Sequence, residues 1–173
     1  GHGETVAVAT DKKKVLGRGA FSPQSQMRVR MWTFNPEEEI NPGFFRKKLQ
    51  QAIAMRQSLF KNGDVTAYRL VNAESDFLPG LIIDRYAGHL VCQFLAAGPE
   101  AWKKEITGQL GELLKPDGIY ERSDPDVRVK EGLGPTTGVL AGREPPETLE
   151  IQEKSCRFLV DIKNGHKTGF YLD

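Results

Sequence analysis

Two stretches of this chain, 42–60 and 99–114, carry the apolar spacing of a helix, and most of the rest is cut into short runs bounded by Gly, Pro, Asn or Asp. That contrast limits the fold more than any other feature. Short runs in which apolar residues alternate read as strands, because successive side chains of a strand point to opposite faces. Strands interrupted by single helices imply an α+β fold, with helix packed on one face of an antiparallel sheet.

The N-terminal runs are Thr5–Thr10, Val15–Ala20 and Met27–Phe34. In the last, Met27, Val29 and Met31 share one face, while Arg28, Arg30 and Trp32 share the other. Gly17 and Gly19 bracket Arg18, a pattern that signals a bulge or the close approach of another backbone. Together these runs read as part of a small β-barrel.

Asn41-Pro42 then supplies a helix start, with Asn as N-cap and Pro at the first helical position. The helix is expected to reach about Phe60, with Phe45, Leu49, Ile53 and Leu59 inward, and to end at Asn62-Gly63-Asp64. Strands follow at Ala67–Val71, Leu81–Tyr86 and His89–Leu95, the last two joined by an Ala87-Gly88 hairpin turn. A second helix starts at Gly98-Pro99 and buries Trp102, Ile106, Leu110 and Leu113. Ile119–Arg122 is a strand, Ser123–Pro146 reads as irregular, and Thr148–Gln152 with Ser155–Ile162 forms a closing hairpin across Glu153-Lys154.

Charge is unevenly placed. Residues 1–61 hold 11 Lys/Arg against 5 Asp/Glu, and residues 62–173 hold 13 against 18. A basic N-terminal part suits a polyanionic partner. Arg18, Arg28 and Arg30 offer guanidinium groups for phosphate, and Trp32 a platform for an unpaired base. The same residues would equally serve as a solvated face and a barrel cover.

Other chemistries are poorly supported. No apolar run approaches the roughly 18 residues of a membrane span. The two cysteines, Cys92 and Cys156, sit in strand-like runs and read as small buried residues of a reducing, cytoplasmic protein. Three histidines, His2, His89 and His166, have no metal-ligand spacing. The terminal "NGHKTGFYLD" has a Lys-Thr pair between glycines, but Lys167 follows His166 where a phosphate loop needs Gly. There is no G-x-S-x-G elbow and no G-x-G-x-x-G fingerprint. Glu74, Asp76 and Asp84 could pair for acid/base work, which leaves a small acid/base enzyme as one alternative.

Four ordered motifs carry a resemblance: "LGRGAFSPQSQMRVRMWTF" (16–34), "YRLVNAESDFLPGLIIDRY" (68–86), "IYERSDPDVRVKEGL" (119–133) and "VDIKNGHKTGFYLD" (160–173). Together the chain resembles the bacterial methyltransferases that modify cytosine C5 in 23S ribosomal RNA. That family has a PUA RNA-binding domain, a central strand-strand-helix-strand-strand (EEHEE) domain and a Rossmann-like domain using S-adenosylmethionine.

The resemblance implies a partial PUA-like β-barrel at 1–36, a connector with helix at 37–64, the central antiparallel-sheet domain at 65–163, and the start of the methyl-donor domain at 164–173. It implies an N-terminal and central fragment whose catalytic cysteine, glycine-rich donor loop and base lie elsewhere. Lys167, Thr168, Gly169 and Phe170 match the motif bordering the donor pocket, without the rest of that pocket, so no donor is expected to bind this chain alone. Arg18, Arg28, Arg30 and Trp32 in the PUA match become candidate contacts to 23S ribosomal RNA, as do Arg85, Arg122, Arg128 and Lys130 in the central motifs, which could instead brace the sheet with Asp84 and Asp124. In such enzymes a thiolate adds at cytosine C6, C5 attacks the sulfonium methyl, and a base then removes the C5 proton. The alternative from another class is a stand-alone RNA-binding or ribosome-associated adaptor. Exposed edges of a truncated barrel would also allow a homodimer.

Overall fold

The structure is a computed structural model, and it describes residues 1–60, 63–123 and 125–172. The Asn62 part of the expected helix stop and Asp124 lie outside the described residues.

The N-terminal runs pair antiparallel as β1 (Thr5–Ala9), β2 (Val15–Phe21) and β3 (Val29–Thr33), in that order. The register slips between Arg18 and Gly19 where β2 meets β3. A side chain at Gly17 would collide with the carbonyl of Thr33, and one at Gly19 would come within 2.6 Å of the carbonyl of Arg30. The glycines therefore mark both a bulge and a close backbone approach.

Helix α1 spans Pro42–Leu59. The Asn41 side chain accepts from the N–H of Phe44 at 3.1 Å, and Pro42 occupies a position whose N–H would have had no helical partner. Phe44, Phe45, Leu49, Ala52 and Ile53 are buried. Leu59, expected inward, is 68% exposed. Six residues beyond Ile53 the helix has turned about 120° from its buried stripe. Phe60 continues the stripe instead and stacks on Tyr68.

The larger sheet runs β4 (Ala67–Asn72), β5 (Leu81–Tyr86), β6 (His89–Phe94), β7 (Gly118–Ser123), β8 (Thr136–Gly142), neighbours in that order. The pairing is antiparallel except between β6 and β7, which are parallel. The antiparallel sheet expected from sequence is present, with this one parallel pair added to it. Two helices, α2 (Ala97–Ala101) and α3 (Lys103–Leu114), lie between these strands and carry the chain back to the same end. They replace the single helix expected, with the break at Trp102. Ile106 and Leu110 of the expected stripe are buried.

The segment expected to be irregular holds α4 (Pro125–Lys130) and the edge strand β8. β8 is hard to see in sequence because Gly138 and Gly142 interrupt it at positive φ and its burial is only partial. The last hairpin is β9 (Leu149–Glu153) with β10 (Cys156–Val160), turning through Lys154 at φ +54°.

Alternation along β4–β7 divides the core. One face gives Leu70, Leu81, Ile83, Leu90, Cys92, Phe94 and Ile119 to the helices and to Trp32. The other gives Ala67, Tyr86 and Val91 to Ile151, Val160 and Ile162. The central sheet thus lies between helices and the final hairpin. Cys92 is buried as expected, and burial pushes its thiol pKa up. Cys156 opens β10 and is exposed, contrary to expectation.

Candidate nucleic-acid interface

The β2–β3 turn and α4 face each other across a cleft of about 470 Å³, lined by Gln24, Met27, Arg30, Val127, Lys130 and Glu131. Two residues singled out from separate motifs, Arg30 and Lys130, meet there. Arg28 adjoins it at the root of β3, exposed, with one guanidinium nitrogen donating to the carbonyl of Pro23. Lys130 is exposed at the end of α4. Met27 and Val127 add exposed apolar surface at 58% and 43%.

Arg30 has a second task. Its Nη2 donates to Oε1 of Glu131 at 3.1 Å, and Nη1 lies 3.6 Å from Glu74. Glu131 is 1% exposed, and its Oε2 accepts from the N–H of Ala97 at 3.3 Å. Burial opposes the charge on Glu131, but hydrogen bonds from Ser25, Arg30 and the Ala97 N–H outweigh it and hold the pKa below the usual range. This pair ties the N-terminal sheet to the central domain. Glu131 stands in a motif of mixed charge that gave no sign of its partner.

Trp32 does not offer a stacking platform. It is 2% exposed and packs edge-on to Phe45 and Phe44, with ring centroids 5.3 Å and 6.4 Å away. The bulge in β2 and the helix beneath the sheet make this side its inner face.

Arg128 is likewise removed from any surface role, being 2% exposed. It donates to the carbonyls of Phe94 and Gly134, both at 2.6 Å, to Glu100 at 2.7 Å and to Thr136 Oγ1 at 3.2 Å. It thereby pins α4 and the start of β8 to the end of β6. Lys103 extends the network, 2.7 Å from Glu100 and 2.9 Å from Glu121.

Three further arginines are spread apart. Arg18 donates through Nε to the carbonyl of Pro36 at 3.3 Å. Arg122 holds the carbonyls of Ile162 and Gly165 at 3.3 Å and 2.9 Å on the hairpin face of the sheet. Arg85 lies on the helix face at the far end of β5 and donates to the carbonyl of Ala87.

The terminal motif folds back on the sheet. Thr168 is 1% exposed; its hydroxyl donates to Oδ2 of Asp84 at 2.5 Å and lies 2.9 Å from the Tyr86 hydroxyl. The N–H of Phe170 donates to that same Tyr86 oxygen at 3.0 Å. Phe170 packs on Phe158, and a side chain at Gly169 would press on Ile162. Thr168, Gly169 and Phe170 therefore do not fit a methyl-donor site: their polar atoms and close approaches serve the chain itself. Lys167 is exposed, with its ammonium 4.6 Å from the centre of the Tyr171 ring.

The acidic loop is similarly committed. Asp76 takes a bidentate pair from Arg56 at 2.6 Å and 2.7 Å, and Asp84 takes Arg69 at 2.9 Å and 3.2 Å. Each carboxylate has both oxygens occupied by its own guanidinium group, so the two are not paired with each other, which disfavours the acid/base alternative. Among the described residues no cluster of three or more His, Cys, Asp or Glu is placed to hold a metal, and no helix is long and apolar enough to cross a membrane.

Comparison with known proteins agrees with this architecture. Residues 1–34 match the model of a PUA-like domain. The chain is 54% identical over 171 residues to ribosomal RNA large subunit methyltransferase I of Aliivibrio fischeri, covering 99% of this chain and 43% of that protein. The protein of the same name from Photobacterium profundum is 52% identical over the same shares. Among solved structures, SMU.776, a candidate methyltransferase complexed with SAH, superposes with a TM-score of 0.81 at 25% identity, over 99% of this chain and 43% of that one. The homologues are thus ribosomal RNA large subunit methyltransferases, and the chain spans less than half of their length.

Proposed function

We propose that this chain grips and positions RNA for an S-adenosylmethionine-dependent methyltransferase acting on cytosine C5 of 23S ribosomal RNA in the cytoplasm. The observation that carries the reading is the cleft between the PUA-like sheet and α4, where Arg30 and Lys130 meet beside Arg28. Cations on a ridged surface with exposed Met27 and Val127 suit a folded RNA, whose phosphates supply most of the affinity and whose loops supply specificity. The similarity to named ribosomal RNA methyltransferases supports the substrate class, and a relative solved with SAH supports the methyl donor for the longer protein. Methyl transfer itself is assigned to the remainder of such a protein. The terminal motif itself latches onto the central sheet through Thr168 and Phe170.

The test is a titration of the chain with structured 23S ribosomal RNA segments. Arg28→Ala with Lys130→Ala should weaken binding at least tenfold in low salt while the unfolding midpoint stays put. Arg30 is unsuited to this test because its loss strands the buried Glu131. Wild-type affinity in the double variant would overturn the assignment of the cleft.

A further inference from the structure

A second groove, of about 630 Å³, opens at the other end of the central sheet, where Phe60 and Gln57 from the end of α1 meet Tyr68 of β4 and Arg85 of β5. Phe60 and Tyr68 stack, with ring centroids 4.7 Å apart and planes 28° from parallel. Tyr68 and Arg85 are direct cross-strand partners, so the guanidinium stands beside the aromatic pair. The Nε of Arg85 is held by the carbonyl of Ala87 at 3.0 Å, which fixes the side chain's direction. Its terminal nitrogens, the Tyr68 hydroxyl and the Gln57 amide have no hydrogen-bond partner among the described residues. The described residues lining the groove include no carboxylate.

An oriented cation, a two-ring stack and neutral hydrogen-bonding groups suit a nucleotide; the Asp117 carboxylate lies against Gly88 in the adjoining pocket rather than among the residues lining the groove. A base has a face for the rings and edge groups for Gln57 and Tyr68, and its phosphate suits the guanidinium. A purely apolar ligand would leave the three polar groups unused.

We propose that this groove takes one unpaired nucleotide of a bound RNA, separate from the cleft at α4. The inference rests on the reading that the chain binds RNA. The two places lie at opposite ends of β5: Glu131 binds Ala97 near the Leu81 end, and Arg85 precedes Tyr86 at the other. Leu81 and Arg85 are four strand steps apart, about 13 Å, and the cleft lies beyond the Leu81 end. The groove therefore reads a nucleotide well away from the one nearest the cleft.

The experiment uses a single-stranded ten-nucleotide RNA containing 2-aminopurine, whose fluorescence falls when the base stacks on a ring, and in parallel a fully paired RNA hairpin. The wild-type chain should quench the probe. Tyr68→Leu, which keeps apolar packing but removes the ring, and the pair Arg85→Gln with Gln57→Ala should each weaken single-strand binding about tenfold and abolish the quench. Hairpin binding should be unchanged in both. Unquenched probe with wild-type protein, or full affinity in both variants, would overturn the groove assignment. Loss of hairpin binding in Arg28→Ala with Lys130→Ala would meanwhile uphold the cleft, so the two readings fail separately.

Discussion

The Thr168 hydroxyl donates to Oδ2 of Asp84 across 84 residues of sequence at 2.5 Å, and Arg69 donates to both oxygens of the same carboxylate. Asp84 is fully buried. A buried carboxylate needs every partner it has, because an unmet lone pair there costs its desolvation. Thr168→Val keeps the shape and removes the donor. It should lower stability by about 1.5–3 kcal/mol in urea unfolding, the range for a hydrogen bond to a charged group. Thr168→Ser should restore most of it. Proteolysis at Lys163 and Lys167 should quicken in the Val variant, since the latch over the hairpin face is loosened. An unchanged midpoint would show that the bond contributes nothing.

Glu131 gives a pH signature. Burial opposes its ionisation, but hydrogen bonds from Ser25, Arg30 and the Ala97 N–H win, and its folded pKa lies below the ordinary 4.5. A depressed folded pKa means that the unfolded chain takes up the proton first as pH falls. The stabilisation is then complete above about pH 4.5 and drains away on acidification toward the folded pKa. Glu131→Gln should flatten that part of the stability profile. The readout is the urea midpoint between pH 6 and roughly pH 3 in both proteins. Parallel profiles would remove Glu131 from the link between the sheets.

Thiol accessibility separates the two cysteines. Cys156 is exposed, whereas Cys92 is fully buried beneath the helices and burial pushes its pKa up. A thiol both shielded and protonated is a poor nucleophile. Ellman's reagent should titrate one thiol in native protein and two in denaturant, and Cys156→Ser should reduce the native count to zero. Two fast thiols in native buffer would contradict the packing of β6.

What the sequence made legible was local. The Asn41-Pro42 start of α1, the Ala87-Gly88 turn and the alternation in β5 each depend on neighbouring residues, and each is present. What stayed hidden depends on partners far along the chain. Trp32 shares a strand face with two arginines, and only the helix beneath the sheet shows that this face points inward at that position. Arg128 could be read as an RNA contact or as a brace for the sheet, and the sequence could not decide, because Phe94, Gly134 and Glu100, which enclose it, are scattered along the chain. Strand β8 escaped because it is partly buried and broken by glycines, so its evidence is the ladder with β7. The Lys-Thr-Gly motif was visible, but its use as an internal latch required Asp84 and Tyr86 to be placed. For the candidate site, Arg30 and Lys130 were identifiable singly, and their meeting at one cleft was not.

Trp32 and Arg28 lie four residues apart on β3 and its approach, and they should fail in opposite ways. Trp32 touches Phe44 and Phe45 and packs close to α2 at Gly98, all in the core. Trp32→Ala should cost about 3–5 kcal/mol of stability, the range for deleting a large buried aromatic. Trp32→Phe should cost less, and it should leave the salt dependence of RNA binding untouched, because no phosphate contact is lost. Arg28 is exposed and makes one hydrogen bond to a nearby carbonyl, so Arg28→Ala should shift stability by no more than about 0.5 kcal/mol. If it meets one phosphate, the slope of log binding constant against log salt should fall by about 0.7 for a single strand or 0.9 for a duplex. The two variants, measured at four salt concentrations by fluorescence anisotropy, separate a core residue from a contact residue. A smaller slope with Trp32→Phe, or an unchanged one with Arg28→Ala, would reverse these roles.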